Sequence, residues 1–118
     1  MEMIEKDWFN IENIEETDSP FLAIYPERIK RNIMALKEIM GDTGRLRPHV
    51  KPHKCKQAVA LMLEEGISKF KCTTIAEAEM LALSGAKDVL IALQPVGPKI
   101  KRLLNLIKSY PSTNFATI

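Results

Sequence analysis

The chain has 118 residues, of which 46% are hydrophobic and 27% are charged. This balance is typical of one globular domain and excludes disordered, collagen-like and disulfide-scaffold proteins. The formal net charge is +2, from 17 basic and 15 acidic residues, so neither a nucleic acid nor a membrane surface is expected as a partner. No stretch of the sequence reaches the roughly 18 apolar residues of a membrane span.

The two cysteines indicate a reducing compartment. Cys55 and Cys72 form no CxxC pair and show no metal-ligand spacing, so they predict free thiols and no zinc site. Residues 1–10 contain no apolar signal-peptide core. We therefore expect a cytoplasmic protein.

The first third of the chain predicts a leader, a strand and a helix. Residues 1–20 are acidic with a few scattered apolar side chains, which favours a leader without regular structure. The apolar run 21–25 predicts a strand. Pro26 suits the first turn of a helix, and Gly41 is typical of a helix end, so residues 26–40 predict a helix.

From residue 45 onward, predicted strands and helices alternate. A capping box of the S/T-x-x-E type places one helix start at Thr74, with Glu77 at its third position. The predicted strands cover 45–51, 69–73, 88–93 and 114–118, and the predicted helices cover 55–65, 75–84 and 98–110. Such alternation is typical of βαβ units with a parallel sheet, either open and doubly wound or part of a (β/α)₈ barrel.

The length favours a fragment of a longer protein. A (β/α)₈ barrel needs about 250 residues, and this chain stops at an apolar strand, 114–118, with no helix to cover it. An unpaired apolar edge invites association. The alternative is a complete small α/β domain with a terminal edge strand.

Segment 45–54 is unusually basic. In a strand, alternate side chains share a face, so one face would carry Arg45, Arg47, His49 and Lys51, and the other would carry Leu46, Pro48 and Val50. Buried cations are costly unless they are paired or used. Lys51 ends the predicted strand, and ligands of parallel α/β folds collect at that end.

These surroundings make Lys51 the candidate catalytic residue. Neighbouring cations and burial would both lower the pKa of its amine, and a neutral amine attacks carbonyls to form a Schiff base. The alternative is a solvated basic cluster. His49 and His53 are four residues apart, but Pro48 and Pro52 exclude a helix there, so a two-histidine metal site is not expected.

The octapeptide RPHVKPHK at 47–54 closely resembles the RPHxKTHK signature of D-threonine aldolases and eukaryotic-type D-serine dehydratases. These are alanine-racemase-like, fold-type III enzymes that use pyridoxal 5′-phosphate (PLP). Three further segments resemble that family in the right order: SPFLAI with RNI at 19–33, TIAEAEMLA at 74–82 and QPVGPK at 94–99. The run 114–118 resembles the approach to the family's V-D-N strand end.

The resemblance implies a fold and site residues. Residues 21–118 would form about half of a PLP-binding TIM barrel, the alanine racemase N-terminal domain, without the C-terminal β-domain. Lys51 aligns with the lysine that forms the Schiff base with PLP, and His49 and Gln94 would line the cofactor pocket. Pro52 departs from the usual threonine and removes a hydroxyl and a backbone donor.

The resemblance also implies an activity for the parent protein: a lyase of D-amino acid metabolism acting on a small amino acid substrate. D-Threonine aldolase chemistry, cleavage of β-hydroxy D-amino acids to glycine and an aldehyde, is favoured by the 69–82 and 94–99 segments. D-Serine dehydratase, racemase and non-catalytic PLP-carrier functions stay open, as does a non-enzymatic basic fragment. The family implies a homodimer and a divalent metal, whose ligands would lie beyond residue 118.

Overall fold

The computed structural model describes residues 7–118; residues 1–6 of the predicted leader lie outside the described residues. Helices and strands alternate along most of this length. In chain order they are α1 Pro26–Met40, α2 Lys56–Glu64, β1 Lys69–Cys72, α3 Ile75–Leu83, β2 Asp88–Ile91, α4 Pro98–Ser109 and β3 Asn114–Thr117, with short 3₁₀ turns at Ile14–Glu16 and Thr43–Arg45.

The strands form one parallel sheet in the order β1-β2-β3. Lys69 pairs with Asp88, and Asp88 pairs in turn with Asn114, so each strand begins level with its neighbour. The predicted α/β class with a parallel sheet is therefore confirmed. Within residues 7–118, no helix is both long and apolar enough to cross a membrane.

The predicted strand at 45–51 is only partly formed. The segment contacts β1 through one isolated parallel bridge, His49 with Lys71. Val50 N–H donates to Lys71 O at 3.0 Å, and Lys71 N–H donates to Pro48 O at 2.9 Å. Pro48 has no N–H to offer, so a continuous ladder is not possible here. The predicted apolar face is confirmed, because Leu46 and Val50 are buried.

The predicted strand at 21–25 was wrong. This segment has no ladder partner within the described part of the chain, and Phe21 and Leu22 are exposed. Side chains hold its end instead. The Tyr25 hydroxyl donates to Phe9 O at 2.7 Å, and the Trp8 ring lies edge-on to the Tyr25 ring at 5.2 Å. A strand needs a neighbour, which a local apolar run does not supply.

The helix ends follow the predicted local chemistry. Pro26 occupies the first turn of α1, and Gly41 follows its last residue with φ 70°, a backbone conformation that favours glycine. At the start of α3 the complete capping box is present: Glu77 N–H donates to Thr74 Oγ1, and the Glu77 carboxylate accepts from the Thr74 backbone.

The core lies between the helices and one face of the sheet. Alternate strand residues are buried, namely Phe70 and Cys72 in β1 and Val89 and Ile91 in β2. They pack with Val50, Val59, Ile67, Leu81, Leu103 and Leu106. The intervening residues, such as Lys71 and Leu90, are half-buried on the opposite face. That face continues the side of the extended segment on which Arg47 and His49 lie.

Candidate site at the carboxyl ends of the strands

Three of the chain's polar residues follow extended segments that run in the same direction. Lys51 follows the segment bridged to β1, Thr73 follows β1 itself, and Gln94 follows β2. The carboxyl ends of parallel strands meet at one edge of a sheet, which is where open α/β folds and barrels bind ligands. This edge is the candidate site.

Lys51 begins a tight turn at this edge. Two N–H groups, of His53 and Lys54, donate to Val50 O at 3.2 and 2.8 Å and close the turn. Val50 is fully buried, whereas Lys51 is exposed. The expected burial of Lys51 was therefore wrong for this chain, because the turn projects beyond the buried end of the extended segment.

His49 links Lys51 to the end of β1. Its Nδ1 lies 3.3 Å from the Lys51 N–H and 3.1 Å from Lys71 O, and its Nε2 lies 3.4 Å from Thr73 Oγ1. In a neutral ring, Nδ1 either donates to Lys71 O or accepts from Lys51 N–H. Nε2 takes the opposite role toward Thr73. The tautomer of His49 therefore decides two things at once: whether Nδ1 accepts from Lys51 N–H, and whether Nε2 donates to or accepts from the Thr73 hydroxyl.

Two of the basic side chains of segment 45–54, Arg47 and Lys54, have carboxylate partners. Arg47 Nη1 donates to Asp88 Oδ1 at 2.6 Å and to Phe70 O at 3.2 Å. The hydrogen bond from Arg47 outweighs burial and holds the pKa of Asp88 below its usual range. Lys54 pairs with Glu77. Two of the cations expected to act on Lys51 are thus compensated by carboxylates that are distant in sequence.

Glu77 also contributes to this edge. The sequence predicted its place in the capping box of α3 but not its contacts with Thr73 and Lys54. Its carboxylate accepts from Thr73 N–H at 2.7 Å and pairs with the Lys54 amine. Burial alone would raise the pKa of Glu77, but the hydrogen bonds from Lys54, Thr73 and Thr74 and the charge of Lys54 together lower it. The carboxylate is therefore charged at neutral pH.

Gln94 lies apart from the lysine turn, on a cavity of about 310 Å³ beside β1 and β2. Apolar side chains of Ile75, Ile91 and Leu103 form part of its wall, and Thr73 also borders it. Thr73 is thus shared between the cavity and His49. The structure brings His49 and Lys51 together directly, and it places Gln94 at the same edge without a hydrogen bond to either in the described residues.

The remaining titratable groups at this edge do not suggest a metal or a thiol nucleophile. In residues 7–118, no group of three or more His, Cys, Asp or Glu side chains is arranged to hold a metal ion. Cys72 is fully buried, and burial followed by the charge of Glu77 raises its thiol pKa to about 12. A thiol that stays protonated at neutral pH is a poor nucleophile.

Comparison with known proteins gives one informative relative. No family model matches the chain, and no solved structure matches it. The chain is similar to a D-threo-3-hydroxyaspartate dehydratase from Delftia sp. (strain HT23), with 33% identity over 90 residues, which is 75% of this chain and 24% of that protein. The chain thus matches about a quarter of its relative's length.

The fold and the site together define an α/β protein with a lysine turn at the carboxyl edge of a parallel sheet. The similarity to the Delftia dehydratase supports the broad family that the four sequence segments indicate. It does not single out the D-threonine aldolases within that family.

Proposed function

We propose that this chain is the cofactor-anchoring part of a PLP-dependent lyase that acts on β-hydroxy D-amino acids, with Lys51 holding the cofactor. One observation carries the proposal: in a chain related to a dehydratase, the Lys51 amine lies exposed in a tight turn at the carboxyl edge of a parallel sheet. In this proposal residues 21–118 are the first part of a (β/α)₈ barrel, and the intact protein is a cytoplasmic homodimer.

The residues at this edge fit pyridoxal phosphate in part. The cofactor's aldehyde requires a primary amine, and Lys51 supplies one that is accessible and not ion-paired in the described contacts. His49 and Gln94 are the further polar groups proposed to border the cofactor. The resemblance assigns the phosphate cradle and the metal ligands to later parts of the family fold.

Bound pyridoxal phosphate supplies an electron sink for the bonds at the substrate's Cα. The chain's own residues then have separate tasks. The Lys51 amine would hold the cofactor and would be placed to move a proton at the substrate's Cα. His49 orients the Lys51 backbone through its Nδ1 contact. Thr73, within 3.4 Å of His49 Nε2, responds to the choice of tautomer.

Dehydration is the reaction supported by the relative. In a dehydration, Lys51 would take the Cα proton, and the β-hydroxyl would gain a proton and leave as water. Hydrolysis of the resulting enamine, through its imine tautomer, then consumes one water and gives a keto acid and ammonia. The relative is a dehydratase of D-threo-3-hydroxyaspartate, which is a β-hydroxy amino acid.

Retro-aldol cleavage is the second candidate. Here the β-hydroxyl loses its proton, the Cα–Cβ bond breaks and Cα takes up a proton, which yields an aldehyde and glycine. The segments 69–82 and 94–99 support this reaction, because they resemble the aldolase branch of the family.

Borohydride trapping tests the anchoring residue. The chain is incubated with pyridoxal phosphate, reduced and digested, and pyridoxyl-lysine is located by mass spectrometry. We expect the label at Lys51, its loss in Lys51→Ala and its retention in Lys101→Ala, which removes another exposed lysine. A label spread evenly over the lysines, unchanged in Lys51→Ala, would contradict the proposal.

Product analysis of the intact protein then separates the reactions. With a β-hydroxy D-amino acid, a keto acid and ammonia indicate dehydration, whereas glycine and an aldehyde indicate cleavage. Lys51→Ala should abolish both products. Retention of full activity in that variant would exclude the assigned role.

A further inference from the structure

Among residues 7–118, Glu77 is the one charged residue that is buried, with 4% of its surface exposed. A buried carboxylate is costly unless its oxygens are paired. Oε2 accepts the N–H groups of Thr73 and Thr74, and Oε1 faces the amine of Lys54. Every partner of Glu77 therefore belongs either to the start of α3 or to the turn after Lys51.

The turn from 50 to 54 is fixed at two points. At one end, Val50 is fully buried and its N–H donates to Lys71 O at 3.0 Å. At the other end, Lys54 has φ 47°, an uncommon conformation for a residue with a side chain. Such backbone conformations persist where the surrounding structure holds them. Among the described residues, two contacts hold Lys54: its N–H donates to Val50 O at 2.8 Å, and its amine forms the ion pair with Glu77, which alone ties the turn to α3.

We propose that Glu77, acting through Lys54, is a positioning residue that fixes the turn carrying Lys51 and so presents the Lys51 amine to a carbonyl compound. The proposal rests on the proposed function only for the identity of that carbonyl compound, pyridoxal phosphate. The fixing of the turn itself is independent of any cofactor. Glu77 thus joins the α3 capping box and the lysine turn into one unit.

A purely structural role makes a different prediction. If Glu77 only caps α3, the Thr73 and Thr74 contacts matter and the Lys54 contact does not. Lys54→Met separates the two roles, because it removes the amine and leaves both N–H contacts of Glu77 in place. The Lys54 side chain is 58% exposed, so methionine is accommodated there without repacking the core.

The test compares Lys54→Met and Glu77→Gln with Lys37→Met. The control breaks an ion pair of similar type, Lys37 with Glu65 at 2.7 Å, which joins α1 to the end of α2. Two readouts are taken on the full chain: hydrogen exchange of the His53 and Lys54 amides, and the yield of borohydride-fixed pyridoxal phosphate at Lys51. Glutamine at 77 keeps an acceptor oxygen for the Thr73 N–H and loses the charge.

We expect the His53 and Lys54 amides to exchange about tenfold faster in both turn variants, because local opening is easier once the ion pair is lost. The Lys51 label should fall about tenfold, since modest misplacement of a reacting group has effects of this size. Amides within α3 should be accelerated less than those of His53 and Lys54 in Lys54→Met, because Glu77 keeps its contacts with Thr73 and Thr74. Lys37→Met should match the wild type in all of these readouts.

Wild-type exchange of the His53 and Lys54 amides in Lys54→Met would overturn the positioning role. If Glu77→Gln fails to fold, Lys54→Met decides alone. The cofactor assignment fails separately: absence of a Lys51 label in the wild-type chain would contradict the proposed function, while the exchange data would still decide whether Glu77 and Lys54 fix the turn.

Discussion

Nη1 of Arg47 lies 2.6 Å from Oδ1 of Asp88, so a residue of the segment leading to Lys51 is tied to the first residue of β2. The same nitrogen also donates to Phe70 O in β1 at 3.2 Å. One guanidinium therefore holds three neighbouring segments together. These contacts lie near the amino-terminal ends of β1 and β2, whereas the candidate site lies at the carboxyl ends of the same strands.

Loss of this ion pair should destabilise the fold. Arg47→Met leaves Asp88 partly buried without its charged partner, and we expect the free energy of unfolding to fall by about 1–3 kcal/mol. Urea unfolding at neutral pH measures it. Lys30→Met is the control, because its pair with Glu27 is exposed and lies within one turn of α1, so its effect should be about 0–0.5 kcal/mol. Equal losses in the two variants would contradict this interpretation.

Acid should weaken the fold through Glu77. Its pKa is lowered from the ordinary 4.5, so its contribution to stability is complete above pH 4.5 and is lost as the pH falls through the lowered value. Glu77→Gln removes this titration. In urea unfolding below pH 4.5, the wild type should lose stability more steeply than the variant. Parallel pH profiles for the two proteins would show that the carboxylate does not contribute in this way.

His53 should add a second pH effect nearer neutrality. Burial lowers its pKa from 6.5, and its Nδ1 accepts the Cys55 N–H at 3.0 Å, which requires an unprotonated nitrogen. This contribution to stability is complete above pH 6.5 and is lost as the pH falls through the lowered value. His53→Gln should flatten that part of the stability profile. NMR titration of the His53 ring in the folded chain gives a direct check, and a midpoint at or above 6.5 would contradict it.

The two cysteines should differ in reactivity. Cys72 is fully buried with a thiol pKa of about 12, whereas Cys55 is half-buried. In the folded chain, iodoacetamide should modify Cys55 first, and Cys72 should react only when urea unfolds the protein. Peptide mapping by mass spectrometry distinguishes the two sites. Equal modification of both thiols without urea would show that the core around Cys72 opens readily.

Local sequence signals were sufficient for the four helices. Pro26 and Gly41 bound α1, and Thr74 with Glu77 bounds α3, because capping and backbone preferences act within a few residues. The strand predictions succeeded where a parallel neighbour was available. They failed at 21–25, which has no partner in the described residues, and in part at 45–51, where Pro48 interrupts the ladder.

The position of Lys51 at the carboxyl edge of the sheet was predictable from the sequence, whereas the surroundings of Lys51 were less so. The edge position of Lys51 followed from strand direction alone. Its exposure and the compensation of Arg47 and Lys54 did not, because Asp88 and Glu77 are distant in sequence. Side-chain pairing across a fold depends on which elements become neighbours, and that information is not contained in residue spacing.

The order of the sheet has a consequence for how the chain assembles. Because β2 pairs with β1 and β3 pairs with β2, both β2 and β3 meet a strand that was synthesised before them. Each crossover is short, so loop closure costs little and contacts stay relatively local. During translation, each strand and helix that follows β1 can therefore dock on the growing sheet as it emerges from the ribosome, without waiting for a distant segment.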